Sequence, residues 1–543
     1  MGYANFAQFL DELSAHRNTV QRCFELLLRP EVLGQKEQSS NHLKAHALWH
    51  ESAGPNTLTN FGFDDPDAIA EVIGQLRNPR FLARLSRKAQ ERLDRLMPQL
   101  IETLSELAPY AATFTRLAAL VTAVVRRSVY LSLLSDHPRA LRRLIELFDA
   151  SPWIAQQITQ QPLLLDELID PRILFAPPSP NELTNQLKNL LARYGKDDVE
   201  HVMDTLREFK NQQVLRVAAS DVMDQFPVAE VSNQLSYIAQ ALLHHAHRIA
   251  NDQLNQKHGE PRWGNESESR RAGFAIIAYG KLGGFELGYG SDLDLVFIHD
   301  GQSEEQVTDG ERMIANAVYF TRLVQRIIHF LNTRTGAGRA YEVDTRLRPN
   351  GNSGLVVTSI SAFADYQNHE AWTWEHQALL RARAVVGSPA TMAAFERVRI
   401  ETLSRPRDAL VLRAEIIQMR ERMRGELDRS NEQYFDLKQG AGGITDIEFM
   451  VQYSVLRWAH EHSGLLGYTD NLRLLEALIR FGLMSADIGT GLHDAYFAYR
   501  AAIHRCTLQE TDGLVGQTLF GDHRAAVTNI WLDIMQPKPG PTT

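Results

Sequence analysis

Apolar residues along this chain follow two rhythms. In most of it they recur every three or four positions, as Phe6, Phe9, Leu10, Leu13, Val20, Phe24 and Leu27 do within 1–35. That spacing gathers them on one face of a helix. Residues 36–62 are polar and carry Gly, Pro, Ser and Asn, so they read as a linker. Helical periodicity returns over 63–175, where Ser151-Pro152 supplies a capping serine and a proline at the first helical position. The cluster Ala176-Pro177-Pro178-Ser179-Pro180 breaks it, and helices resume over about 181–258 with an interruption near Pro227.

The second rhythm occupies about 268–390. Phe274-Ala275-Ile276-Ile277-Ala278-Tyr279 is bulky and continuous, the pattern of a short buried strand, and it ends in glycines. Leu293, Leu295 and Phe297 alternate with Asp292, Asp294 and Val296; Tyr341, Val343, Thr345 and Leu347 alternate with Glu342, Asp344, Arg346 and Arg348. Both alternations predict strands with one polar face, and a helical stretch over 311–332 lies between them. Helical patterns return from 405 to 535, and the tail Gln536-Pro537-Lys538-Pro539-Gly540-Pro541 is too rich in proline to pack. The expectation is an α+β protein, predominantly helical, with one small mixed α/β domain. Its segments are an N-terminal helix and linker (1–62), a helical region (63–262), the α/β domain (263–400), a helical domain (401–535) and a tail (536–543).

Composition narrows the function. A length of 543 residues suggests three or four domains, and 44% hydrophobic with 23% charged residues is an ordinary globular balance. A net charge of -9 offers no basic field for nucleic acid, so a protein or small-molecule substrate fits better. Cys23 and Cys506 are too few and too far apart for a metal site or a disulfide framework, which points to a reducing cytoplasm. No apolar run approaches a membrane span. The opening MGYANFAQFLDEL lacks a signal-peptide pattern, and Phe6 stands where myristoylation would need Ser or Thr.

The chemistry sits in Ala278-Tyr279-Gly280-Lys281-Leu282-Gly283-Gly284-Phe285-Glu286-Leu287-Gly288-Tyr289-Gly290-Ser291-Asp292-Leu293-Asp294-Leu295. Asp292 and Asp294 are two apart on a strand, so their carboxylates face the same way. Such a pair is unfavourable unless a cation neutralises it, and Mg²⁺, which takes oxygen ligands and bridges carboxylates to phosphates, is the expected ion. The glycines let backbone N–H groups approach phosphate, Ser291 offers a hydroxyl and Lys281 a positive charge. Asp344, with Arg346 and Arg348 on its face, adds a third carboxylate. Together they form a site for two metals and a triphosphate.

Glycine loop, same-face pair and later third Asp resemble the polymerase-β nucleotidyltransferase superfamily. The longer strings YGKLGGFELGYGSDLDLVF, YEVDTRLRPNGNSG, WTWEHQALLRARAVVG and GAGGITDIEFMVQY resemble glutamine synthetase adenylyltransferase, over about 80–530. That resemblance implies a polymerase-β-like domain flanked by helices, with Asp292, Asp294 and Asp344 as metal ligands and Gly283, Gly284 and Ser291 facing phosphate. It implies AMP transfer from ATP to a tyrosine of glutamine synthetase, with a PII-type signal protein and glutamine as regulators. Members carry two related halves, one adding AMP and one removing it by phosphorolysis. The strings here resemble the C-terminal, adenylylating half, and the first ~30 residues resemble the last helix of the other half. The expected chain therefore adds AMP and does not remove it. Phosphorolytic removal, or a non-catalytic module binding glutamine synthetase or the signal protein, are the alternatives.

Other features have plainer readings. Thr445-x-x-Glu448 has the form of a capping box, which ranks above a catalytic role for Asp446 or Glu448. Trp372 and Trp374 read as core residues rather than an adenine shelf. Arg381 and Arg383 are compatible with either phosphate or solvent. His244, His245 and His247 lie on one helix, where a solvated surface outranks a metal site. His299-Asp300 is a strand end.

Overall fold

The computed structural model describes residues 40–50, 58–59, 61–195, 198–264, 269–301 and 306–536. They fall into two compact units, Met1–Glu146 and Leu147–Thr543. The helix expected within 1–35 and the tail beyond Gln536 lie outside the described residues.

The first unit is helical. Asp65 caps Pro66–Leu76 by accepting from the Ala68 amide (3.0 Å), and Ser86 caps Arg87–Leu107 in the same way through Ala89 (3.2 Å). Leu93, Leu96, Leu100 and Leu104 bury one face of the long helix. The linker expected over 36–62 contains a helix, Ser40–His50. Ala45, Leu48 and Trp49 are buried at helical spacing, and the Trp49 indole donates to Asp94 (2.9 Å). Only three apolar positions carry that packing, too few to stand out in a polar stretch.

In the second unit, α1 (Val199–Val222) and α2 (Val228–His258) pack side by side ahead of the sheet, with Pro227 at the start of α2 as expected. Ser151 accepts from the Ile154 amide, and its hydroxyl donates to the Leu508 carbonyl (2.7 Å), tying an early helix to a late one. Next come β1 (Phe274–Ala278), β2 (Leu293–His299), α3 (Asn316–Asn332), β3 (Val343–Asp344), β4 (Thr358–Ser359) and β5 (Arg383–Gly387). The sheet order is β3–β2–β1–β5, with β4 beside the far end of β2. β1 is antiparallel to β2 and β5, whereas β3 and β4 run parallel to β2. The result is a predominantly helical α+β fold with one small mixed sheet.

Both faces of that sheet are covered. Ala275, Ile277, Tyr279, Val296 and Ile298 join a core with α4 (Ala409–Leu427), α5 (Ile444–Trp458), α6 (Asn471–Arg480) and α7 (Ala486–Leu508). On the other face Phe274 stacks on Phe320 of α3 and His247 of α2. His245 is buried, bonded to the Thr184 carbonyl (2.9 Å), and only His244 is exposed; the histidine run is thus largely packing, not the solvated surface expected. Arg207, fully buried on α1, donates to the carbonyls of Phe330 and Gly338 (3.1 and 2.9 Å), which fixes the end of α3. Among the described residues no helix is long and apolar enough to cross a membrane.

The alternation over 341–348 does not become a long strand. Only Val343 and Asp344 pair with β2. Past them the chain turns, because Arg348 donates to the Thr345 and Gly354 carbonyls (2.9 and 3.2 Å) and holds a compact loop.

Candidate active site

The parallel register sets Asp294 beside Asp344, and the two-residue period puts Asp292 on the same face. Ligand oxygens of Asp292, Asp294 and Asp344 all lie within 4.8 Å of one another. Nothing local in the sequence joins Asp344 to the pair; sheet pairing does. Three acidic groups at this spacing repel. Burial, and then Asp292 and Asp344, push the Asp294 carboxyl up to about 6. Asp344 is held below its ordinary value by Arg346, whose Nε and backbone N–H donate to it at 2.7 and 2.8 Å. A cluster of hard oxygen donors with unbalanced charge fits one or two divalent cations of the magnesium type.

The loop from β1 to β2 closes over these groups. Tyr279 N–H donates to the Asp294 carbonyl (2.9 Å), and the chain turns at once through Gly280, φ +55°. A Cβ on Gly280 would stand 2.3 Å from an Asp294 carboxylate oxygen, so only glycine fits there. Lys281 Nζ lies 3.3 Å from the Ser291 hydroxyl, which accepts from the Gly288 amide (3.2 Å). The cleft around Lys281, and then Lys438 facing it, lower the Lys281 pKa. Beside Lys281 and Ser291 a pocket of about 120 Å³ runs between the loop and the helices α5 and α7, walled by Ile444, Tyr496 and Ile503. Lys438, Arg500 and His504 also line it. Burial, then Arg500 and Lys281, push the His504 pKa down to about 3, so this ring is neutral.

The same loop is anchored through Glu286, which is buried. Its carboxylate pairs with Arg381, lies 3.9 Å from Arg500, and accepts from the Asn471 amide (3.1 Å) and the Tyr496 hydroxyl (2.8 Å). Arg381 also pairs with Glu448 (2.7 Å). Burial opposes charge on Arg381, yet Glu286 and Glu448 outweigh it and raise the guanidinium pKa.

Comparison with known proteins follows this division. Residues 141–398 match the family model described as glutamate-ammonia ligase adenylyltransferase, and residues 411–531 match that of GlnD PII-uridylyltransferase. The chain is 44% identical over 545 residues to the bifunctional glutamine synthetase adenylyltransferase/adenylyl-removing enzyme of Thioalkalivibrio sulfidiphilus, covering 99% of this chain and 56% of that protein. Proteins of the same name from Nitrosococcus oceani and Pseudomonas aeruginosa are 42% and 43% identical, over 99% and 98% of this chain and 56% of each relative. Residues 141–398 thus form a domain of the glutamate-ammonia ligase adenylyltransferase family. The chain spans about half the length of the curated relatives it matches.

Within that domain, the structure gathers Asp292, Asp294, Asp344, Lys281 and Ser291 as the sequence suggested, with Arg346 clamped on Asp344. Gly283 and Gly284 are not part of that gathering. A Cβ on Gly283 would strike the Arg381 carbonyl at 1.9 Å, and one on Gly284 would meet the Arg381 side chain. These glycines permit close packing against the interior; Gly280 is the one against the carboxylates. Arg348 is committed to loop carbonyls.

Several other readings change as well. Gly443, not a threonine, caps α5, and Asp446 turns inward to Arg420 (2.6 Å), Arg424 (2.8 Å) and the Gly442 amide (2.7 Å). Arg383, half-buried, stacks on the Phe285 ring (3.7 Å) and donates to the Gly283 carbonyl (3.2 Å). Trp372 and Trp374 are 71% and 39% exposed and belong to no core. Sequence reasoning passed over Gly280, Lys438, Glu286 and Arg500. Glu286 did leave a signal: it is the sole acid in the glycine-rich stretch 280–291.

Proposed function

We propose that this chain transfers AMP from ATP to a tyrosine of glutamine synthetase and releases pyrophosphate. The observation that supports this most strongly is the convergence of Asp292, Asp294 and Asp344 from adjacent parallel strands beside Lys281 and Ser291. In this reading Asp292 and Asp294 hold Mg²⁺ for the triphosphate, and Asp344 joins them on the acceptor side. The bound ions supply charge neutralisation at the phosphates and lower the pKa of the acceptor hydroxyl, which is ~10 when free. Lys281, Ser291 and Lys438 hold phosphate oxygens, and the pocket between the loop and α7 takes the nucleotide. Arg346 keeps Asp344 ionised and aimed, so that it can accept the tyrosine proton.

The relatives' names carry adenylyl removal as well, and the same carboxylates would serve phosphorolysis. The likeness of 411–531 to a PII-uridylyltransferase model supports a PII-type signal protein as regulatory partner; glutamine as effector and a cytoplasmic setting belong to the same proposal. Incubation of the chain with α-labelled ATP, Mg²⁺ and unmodified glutamine synthetase tests the direction. Label on a tyrosine, with no ADP formed from modified enzyme and phosphate, is the expected result; the reverse pattern would assign the removing activity instead.

A further inference from the structure

The Gly288–Ser291 loop has a second side. There a cavity of about 240 Å³ is lined by Trp153, Lys210, Tyr341, Arg339 and Glu342, with Gly290 and Ser291 at its roof. Lys210 projects from α1 into it, 5.4 Å from the Tyr341 ring centre. Arg339 is already paired with Glu342 (2.8 Å), but among the described residues no carboxylate faces the Lys210 ammonium. Burial lowers its pKa to about 8, the mark of a cation without a counterion. An aromatic wall with one unbalanced ammonium suits an acidic side chain entering from outside.

Position says what brings that side chain. The nucleotide pocket lies on the other side of the loop, enclosed by α5 and α7. β3 is an edge strand, and residues 339–342, which rim the Lys210 cavity, lead directly into it and to Asp344. An acceptor reaching Asp344 across this edge passes over the cavity. We propose that the cavity is an acceptor subsite in which Lys210 binds a carboxylate of the protein substrate close to its acceptor tyrosine. This rests on the transfer reading above, and it makes Lys210 a specificity residue for the protein substrate.

The test separates binding from chemistry. Capture of unmodified glutamine synthetase by the nucleotide-free chain is measured by surface plasmon resonance, and AMP transfer is measured at saturating MgATP across acceptor concentrations. Lys210→Met removes the charge, keeps the bulk and relieves a buried ammonium, so it should fold; Lys210→Arg restores charge should Met perturb the melt. The expected result is at least a tenfold weaker capture and a tenfold rise in acceptor KM for Met, substantial rescue by Arg, and MgATP affinity within twofold of wild type. Replacing the acidic residues beside the acceptor tyrosine by their amides should erase the difference between wild type and Lys210→Met. Unchanged capture and KM would overturn the subsite, and lost MgATP binding would reassign the cavity to the nucleotide. If wild type captures glutamine synthetase in a Lys210-dependent way without transferring AMP, the transfer reading fails and the subsite stands.

Discussion

The carboxylates at the start of β2 and β3 and the ion network around Glu286 stand one loop apart and balance charge in opposite ways. Glu286 and Glu448 share Arg381, with Arg500 close by, and the remaining lone pairs of Glu286 are taken by Asn471 and Tyr496. Every member has a partner from the protein itself. Asp292, Asp294 and Asp344 have Arg346 paired with one of them, and Lys281 and Arg381 act on Asp294 only through space, too weakly to offset the mutual repulsion. Compensated buried charge holds a loop in place; uncompensated charge waits for a ligand. Removing one partner from the first cluster should therefore damage folding, and removing charge from the second should damage only chemistry.

The strongest test of this contrast is Asp294→Asn or Asp292→Asn. Each should lower AMP transfer about 10³-fold or more, since charge stabilisation at the phosphates is lost, while circular dichroism stays native. Most of the wild-type rate surviving in the double variant would sink the site. Next comes Arg381→Met, which strands Glu286 in the interior. A buried pair broken on one side costs about 3–5 kcal/mol, so urea unfolding should show a large fall in midpoint, and transfer should fall with the loop. A variant as stable as wild type would mean the network is not structural.

Asp344→Ala should be milder than the pair, with single-turnover transfer down about 100-fold and MgATP affinity by calorimetry changed no more than a few-fold, because a transition-state contact is lost. Loss of nucleotide binding would instead put Asp344 on the triphosphate. The smallest effect concerns the ion alone. Saturating Mg²⁺ should raise the melting temperature of wild type by a few degrees and leave Asp294→Asn nearly unmoved, since a ligand stabilises only the state that binds it. Equal shifts in both proteins would show that magnesium binds elsewhere.

Much of the acidic cluster was legible because the two-residue period of a strand is a local property. Asp292 and Asp294 alternate with the buried Leu293 and Leu295 at the start of β2, and Asp344 lay in a similar run. The end of β3 was not legible. The alternation persists to Arg348, but a bond from Arg348 to its own loop ends the strand at Asp344. The place of each glycine was not legible for a related reason: spacing identifies a flexible loop, whereas which glycine touches a carboxylate depends on the positive φ at Gly280 and the carbonyl of Arg381 behind Gly283. Glu286 finds its partners 95 to 214 positions away, from Arg381 to Arg500, so its role could emerge only from tertiary packing. Trp372 and Trp374 show the converse. Large aromatic residues favour burial, yet these sit at a helix start beside an open groove with Glu415 and Arg422.

The Glu286 anchor also has a consequence for synthesis on the ribosome. Chains grow from the N-terminus, and early segments fold before late ones exist. The sheet with all three aspartates is complete once residue 387 has emerged, but Asn471, Tyr496 and Arg500 arrive more than eighty residues later. Until then the loop carrying Lys281 and Ser291 lacks most of its restraints. A nascent or C-terminally clipped chain would thus hold the acidic residues without a formed nucleotide cradle, and competence should appear abruptly as α7 docks. Ordering by position follows from the fold itself: the loop carrying Lys281 and Ser291 is fixed only when α7 has been made.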